Sequence, residues 1–250
     1  MAGTIPEDIA RRFAQASSVV VLTGAGVSAE SGMETFRGAD GTWSKVNVQE
    51  VATPQAFERD PVKVWEWYDS RRTALKDIKP NAAHYALVAI ERHFEHFVLI
   101  TQNVDNLHRQ AGSRRIIELH GNIWQVRDTV TGEIIEFREA PLKQIPPRSA
   151  EGNLLRPNVV WFGEMLPPGS IEASIKEAES CDVFLVVGTS AVVQPAASFP
   201  VYALRAGAMV LEFTIQPTEI TDYVSHTFYG PAGQTLPRLL DVIGLSIDSN

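Results

Sequence analysis

A glycine-rich segment, Gly24-Ala25-Gly26-Val27-Ser28-Ala29, carries residue types at a spacing that could do chemistry. It fits G-x-G-x-x-G/A and stands directly behind a short apolar run, Val19-Val20-Val21-Leu22. Glycines there permit a tight turn and a close backbone approach to a pyrophosphate, which then sits at a helix N-terminus. A plain strand-to-helix turn would use the same spacing. The strand in front and Ser28-Ala29-Glu30-Ser31 behind favour the phosphate reading. An ordinary NAD dehydrogenase would also carry an acid about 20 residues on, closing a second strand. No clear candidate stands there, so that class fits poorly. Thiolate chemistry is narrower still. The only cysteine, Cys181, excludes an intramolecular disulfide and any site built from two or more thiolates.

The elements that must position such a loop are legible as an alternation. Val19 to Leu22, Phe97 to Ile100, Val183 to Val187 and Met209 to Phe213 are short apolar runs ended by small or polar residues. They read as strands buried on both faces of a parallel sheet. Between them, Pro61 to Leu75, Asn81 to Glu95 and Ile171 to Glu179 read as helices, the first opened by proline and the second by a capping asparagine. The class expected is therefore α/β, a doubly wound parallel sheet. From about residue 123 to 155 the rhythm breaks. Arg127 to Glu133 looks like a hairpin turn, and Pro141, Pro146, Pro147 and a polar run follow. This stretch reads as a small inserted module with little core of its own. The large lobe would then be about 1–122 and 156–250, with a further helical insertion at about 40–80.

Composition narrows the function classes. Lys and Arg number 22 against 30 Asp and Glu, a net charge of −8, which argues against a nucleic-acid backbone binder. No apolar run reaches the roughly 18 residues of a membrane helix. Met1 to Arg12 lacks the apolar core of a signal peptide, so a cytoplasmic location is expected.

Extended to Gly38, the loop resembles the NAD-binding signature of the sirtuins, the NAD-dependent protein deacylases. Five further segments agree in the family's order. Thr101-Gln102-Asn103-Val104-Asp105-Asn106-Leu107-His108 is similar to the T-Q-N-[IV]-D-x-L-H segment. Glu118-Leu119-His120-Gly121 is similar to the catalytic-histidine segment. Pro157-Asn158-Val159-Val160-Trp161-Phe162-Gly163-Glu164 resembles the substrate-groove strand. Val187-Gly188-Thr189-Ser190 and Gly230-Pro231-Ala232-Gly233 resemble the later cofactor loops. The likeness covers nearly the whole chain. It implies a Rossmann-like lobe plus a small module, with NAD and acyl-lysine protein or peptide between them, in a monomer.

The resemblance also implies roles. His120 would be the general base on a ribose hydroxyl, a task that suits imidazole near neutral pH. Asp105 would bind the nicotinamide carboxamide, Asn103 would orient ribose or an ordered water, and Gln102 would hold a ribose hydroxyl. Gly24, Ala25, Gly26, Ala29, Glu30, Thr35, Phe36, Arg37, Trp43, Val104, Gly188, Thr189, Ser190, Thr214 and Ala232 would complete the cofactor site. Val160, Trp161, Phe162, Gly163 and Glu164 would offer an exposed strand edge to substrate peptide, with Val159 and Trp161 at least partly in the core. Ala52, Tyr68 and Arg71 match the class that removes negatively charged acyl groups. Tyr68 and Arg71 lie three apart in a helix, on one face. A guanidinium beside a phenol suits capture of a carboxylate, and a small Ala52 leaves room for a longer chain.

Departures from the family pattern are equally specific. Most sirtuins hold a structural zinc with four cysteines in the small module, and this chain has none there. Asp128 and Thr131 occupy the first C-x-x-C spacing, and residues 147–153 hold no cysteine. A carboxylate and a hydroxyl cannot replace four thiolates. No zinc is expected, and the module should rest on hairpin pairing and on Ile134, Ile135, Phe137 and Leu142. Cys181 should be an inert core thiol. Glu34 replaces a proline of the first motif, and Thr214 replaces an asparagine at the adenine-side ribose. Two other functions fit the same scaffold: an NAD glycohydrolase or ADP-ribosyltransferase, and an NAD or ADP-ribose sensor without turnover.

Overall fold

The structure, a computed structural model, describes residues 5–34 and 46–247. Thr35, Phe36, Arg37 and Trp43 lie outside the described residues. The strands among the described residues are β1 Ser18–Thr23, β2 His96–Thr101, β3 Ile116–Glu118, β4 Gly121–Asp128, β5 Ile134–Glu136, β6 Leu155–Val159, β7 Val183–Val187, β8 Met209–Thr214 and β9 His226–Tyr229. The α-helices among the described residues are α1 Glu7–Ala14, α2 Val48–Val51, α3 Pro54–Arg59, α4 Pro61–Leu75, α5 Ala82–His93, α6 Leu107–Ala111, α7 Ser170–Ser180, α8 Phe199–Arg205 and α9 Ala232–Val242. None of these helices is long and apolar enough to cross a membrane.

Six strands form one parallel sheet in the order β3-β2-β1-β7-β8-β9. Its strand residues alternate between two cores, as the two-residue period of a strand requires. Val19, Val21, Leu99, Val183 and Leu185 face α1, α5 and α9 on one side. Val20, Leu22, Ile100, Phe184 and Val186 face α7 and α8 on the other. Burial on both faces is why β1, β2, β7 and β8 are continuous apolar runs. The edge strands β3 and β9 are short and half-buried, so no such run announces them.

The order reverses between β1 and β7, both of which pair with each other while their next neighbours lie on opposite sides. A crevice opens at such a switch point, beyond the carboxyl ends of the strands, and ligands of open α/β sheets bind there. The glycine loop follows β1, Gln102 to Asp105 follow β2, Gly188 to Ser190 follow β7, Thr214 ends β8 and Gly230 follows β9. The sheet topology thus brings segments far apart in sequence to one rim.

A second, antiparallel sheet has the order β5-β4-β6. It spans Gly121 to Val159, somewhat more than residues 123–155. Its core is shared. Ile123, Trp124, Val126 and Leu155 pack with Phe57, Val64, Trp65 and Tyr68 of α3 and α4. Ile135, Phe137 and Leu142 pack against that cluster, but Ile134 does not. Ile134 is 51% exposed, because its neighbour Ile135 takes the inward side of the strand. The module is therefore supported by α4 rather than by its hairpin residues alone. Cys181 is buried, and burial pushes its thiol up to about 12, as an inert core position should.

Candidate active site

The glycine loop leads into a short 3₁₀ turn, Ala25–Ser31, not the α-helix that the motif suggests. Its glycines answer first to a neighbouring loop. A Cβ on Gly26 would stand 2.7 Å from the Gly188 carbonyl oxygen. At Gly188 itself, φ is +59° and a Cβ would stand 2.4 Å from the Val27 nitrogen. The Gly26 N–H donates to the Gly188 carbonyl at 2.8 Å. The loops after β1 and β7 thus lie backbone against backbone, which no side chain at either position would permit. Glu30 closes the same region. Its carboxylate accepts from the Gly233 N–H in the first turn of α9, where a negative charge is favoured, next to Ala232.

The end of β2 supplies a tightly bonded polar group. Asp105 is buried, and burial pushes its carboxyl above the usual range, against the opposing pull of two donors. These are the Leu107 N–H at 2.8 Å on Oδ1 and the Ser28 hydroxyl at 2.7 Å on Oδ2. Asn103 is also buried and donates through Nδ2 to Ser28 Oγ at 3.3 Å. Ser28 therefore joins the first loop to both residues. Behind it stands His84 of α5. The His84 Nδ1 accepts from the Asn81 N–H at 3.2 Å, so its proton sits on Nε2, which faces Ser28 Oγ at 3.4 Å. The Gln102 amide donates to Thr189 Oγ1 at 3.0 Å and so ties the β2 and β7 loops together.

His120, between β3 and β4, has its tautomer set by the backbone. A carbonyl can only accept, so the 2.9 Å contact from Nδ1 to the Gln102 carbonyl places the proton on Nδ1. Nε2 is left with its lone pair. Burial pulls the imidazole below its ordinary value, with the Gln102 contact pulling the other way. A neutral ring with an available Nε2 is what a general base requires.

One cleft brings several of the residues expected to meet the cofactor together with the helical arginine. Ala25, Ser28, Met33, Glu34, Arg71, Leu75, Asn103, Val104 and Asp105 line it. The Arg71 guanidinium lies 5.0 Å from the Trp67 ring centroid. Tyr68 is not in that lining. It is buried, and its hydroxyl oxygen accepts from the Trp161 indole N–H at 2.9 Å, which leaves the phenol proton to donate elsewhere. Burial raises the phenol strongly, so it stays protonated. Ala52 is buried beside this pair, and its carbonyl accepts from the Phe162 N–H at 3.0 Å.

The geometry around the expected substrate strand and at Thr214 is as follows. Trp161 to Glu164 form a turn after β6, not a strand edge, because β6 ends at Val159. The Glu164 carboxylate is taken by Arg156 at 2.6 and 2.9 Å and by the Trp161 N–H at 2.8 Å, so it pins the turn. Trp161 is buried under the Arg156 guanidinium, 3.6 Å from its ring centroid, while Phe162 remains exposed. The Val160 N–H donates to the His120 carbonyl at 2.9 Å. The Thr214 hydroxyl donates to the Gln216 carbonyl at 2.8 Å and so closes its own turn.

Ser28 and His84 were not assigned roles from the sequence, since they meet only through the packing of α5. Arg156 was likewise silent. Among the described residues, no three His, Cys, Asp or Glu side chains gather as a metal set.

Comparison with known proteins gives a consistent result. The Sir2 family profile matches residues 24–195. An Aquifex aeolicus "NAD-dependent protein deacylase" is 47% identical over 227 residues, covering 90% of this chain and 95% of that one. The dog "NAD-dependent protein deacylase sirtuin-5, mitochondrial" is 42% identical over 260 aligned residues, covering 93% of this chain and 84% of its own. A solved Sir2 homolog–NAD complex superposes with a TM-score of 0.89 at 44% identity, covering 97% of this chain and 95% of that one.

Proposed function

The chain belongs to the Sir2 family and is an NAD-dependent protein deacylase, and from that premise we propose that it favours lysines carrying acidic acyl groups, succinyl, malonyl or glutaryl, while also accepting acetyl. The observation that carries this reading is Arg71 in the wall of the cleft that Asn103 and Asp105 also line. A guanidinium there offers a fork of donors to a terminal carboxylate. Tyr68, one helical turn before it on α4, has a phenol proton to add. Ala52 takes little volume where a longer acyl chain has to pass.

NAD as co-substrate supplies a ribose C1′ that becomes electrophilic as nicotinamide leaves and that the acyl oxygen attacks. The close-packed loops around Gly26 and Gly188 suit its phosphates, since backbone amides can approach without intervening side chains. Asp105, held by Ser28 and Leu107, would accept from the carboxamide. Asn103 is steadied by the same Ser28. The His120 Nε2 would take the proton of a ribose hydroxyl, its Nδ1 being bonded to the Gln102 carbonyl.

The test is a panel of succinyl-, malonyl-, glutaryl- and acetyl-lysine peptides of one sequence, assayed with NAD for nicotinamide release and peptide product together. Higher kcat/KM on the acidic peptides, with the two products in step, supports the proposal. Equal or higher kcat/KM on acetyl overturns it. Rapid nicotinamide release without peptide would favour an NAD glycohydrolase instead.

A further inference from the structure

The zinc that the family resemblance implies does not fit the residues at its expected position. Asp128, at the first of the two loops, has both carboxylate oxygens engaged by donors. Oδ1 accepts from the Val130 and Thr131 N–H groups at 2.8 and 3.0 Å. Oδ2 accepts from the Asn153 amide at 3.0 Å. These donors hold the carboxyl below its usual range, so it is a charged acceptor at neutral pH. The residue is 3% exposed, and among the described residues no three His, Cys, Asp or Glu side chains gather around it as a metal set.

What the site does contain is a bridge between the two loops that four cysteines would otherwise join. Asp128 caps the β4–β5 turn and reaches across to Asn153, 25 residues on. Thr129 repeats the crossing, with its N–H and its hydroxyl donating to the Leu154 carbonyl at 3.1 and 2.8 Å. The second loop is closed on itself by the Ser149 N–H on the Asn153 carbonyl at 2.9 Å.

The root of the module carries an organic cation. Arg72 of α4 is fully buried and donates to the carbonyls of Ile123, Phe137 and Glu139. The rings of Trp65, Trp124 and Phe137 surround its guanidinium at 6.0, 5.3 and 5.1 Å. Carbonyls from β4 and from the chain after β5 thus converge on one charge supplied by the helix that bears Tyr68 and Arg71.

We propose that this small module is metal-independent: the Asp128–Asn153 clasp at its tip, with Arg72 at its root, takes the structural role of the zinc. This does not depend on the acyl preference and would stand if that reading failed. Elemental analysis of the purified protein should find far less than one zinc per chain. A chelator should leave the thermal midpoint and the turnover with acetyl- or succinyl-peptide unchanged. Asp128→Ala should speed amide exchange at Val130 and Thr131 by about tenfold or more, as expected for loss of a charge-assisted cap. Exchange in the β1 amides should stay as it was. Asn153→Ala removes one arm only and should give a smaller change at the same amides, which keeps the test open if Asp128→Ala fails to fold. Stoichiometric zinc whose removal lowers the midpoint would overturn the proposal, and so would unchanged exchange in Asn153→Ala.

Discussion

Replacing Arg71 with Met isolates the charge that the acyl preference rests on. Met keeps much of the aliphatic reach along α4 and removes the guanidinium. In the structure Arg71 lines the cleft and lies over Trp67, and burial pulls its pKa down from the ordinary guanidinium value. A fully buried ion pair broken on one side costs about 3–5 kcal/mol. Arg71 is only half-buried, so water screens part of that, and the range for hydrogen bonds to charged groups, about 1.5–3 kcal/mol, is the better guide. At 1.4 kcal/mol per decade this is a loss of roughly 10–150-fold in kcat/KM on a succinyl peptide. An acetyl group presents no carboxylate, so its kcat/KM should change by less than about threefold. Arg71→Lys should fall between, since it keeps the charge but not the fork. The assay is steady-state kinetics with matched succinyl and acetyl peptides at saturating NAD. Parallel losses on both peptides would refute the reasoning and make Arg71 a residue that only supports the cleft.

Other expectations follow from the same geometry. His120→Ala should abolish NAD-dependent deacylation, and retained turnover would remove it from the base role. Because burial lowers its pKa, the acid limb of kcat/KM should lie below the ordinary imidazole value of 6.5; a limb above 6.5 would contradict the neutral Nδ1–H form. His84 is buried with its pKa lowered to about 4 against 6.5 when unfolded. Its contribution is full above pH 6.5 and is lost as pH falls toward 4, by about 3 kcal/mol. Thermal melts should show that fall, and His84→Gln should flatten it; an unchanged slope would argue against a buried neutral imidazole. Gly188→Ala would press a Cβ into the Gly26–Val27 backbone and should weaken NAD binding by about tenfold or more in calorimetry, so unaltered affinity would mean the two loops can part.

Much of the large lobe was readable from its strands. β1, β2, β7 and β8 are apolar throughout because helices cover both faces, and that pattern needs no knowledge of the partner strand. β3 and β9 sit at the sheet edges, where half-exposed residues leave no pattern to read. The inserted module was visible as a break in rhythm. The inward face of its hairpin was not, because three-residue β5 is too short for a period to show that Ile135 and not Ile134 turns inward.

The candidate site divides in the same way. By itself the sequence determined which residue types stand at the strand ends: glycines after β1 and β7, the Gln-Asn-Val-Asp run after β2, and one histidine before β4. It also excluded a four-thiolate metal site, since the count of cysteines is a covalent fact. Only the tertiary structure decided what those residues hold. Ser28 bonds Asp105 across 77 positions, and the Gln102 carbonyl sets the His120 tautomer across 18. Asp128, spaced as a metal ligand would be, is filled instead by two backbone amides and Asn153. Local patterns record burial and turns, because those depend on neighbours in the chain. Hydrogen-bond partners across a cleft are settled only when the sheet order brings the loops together.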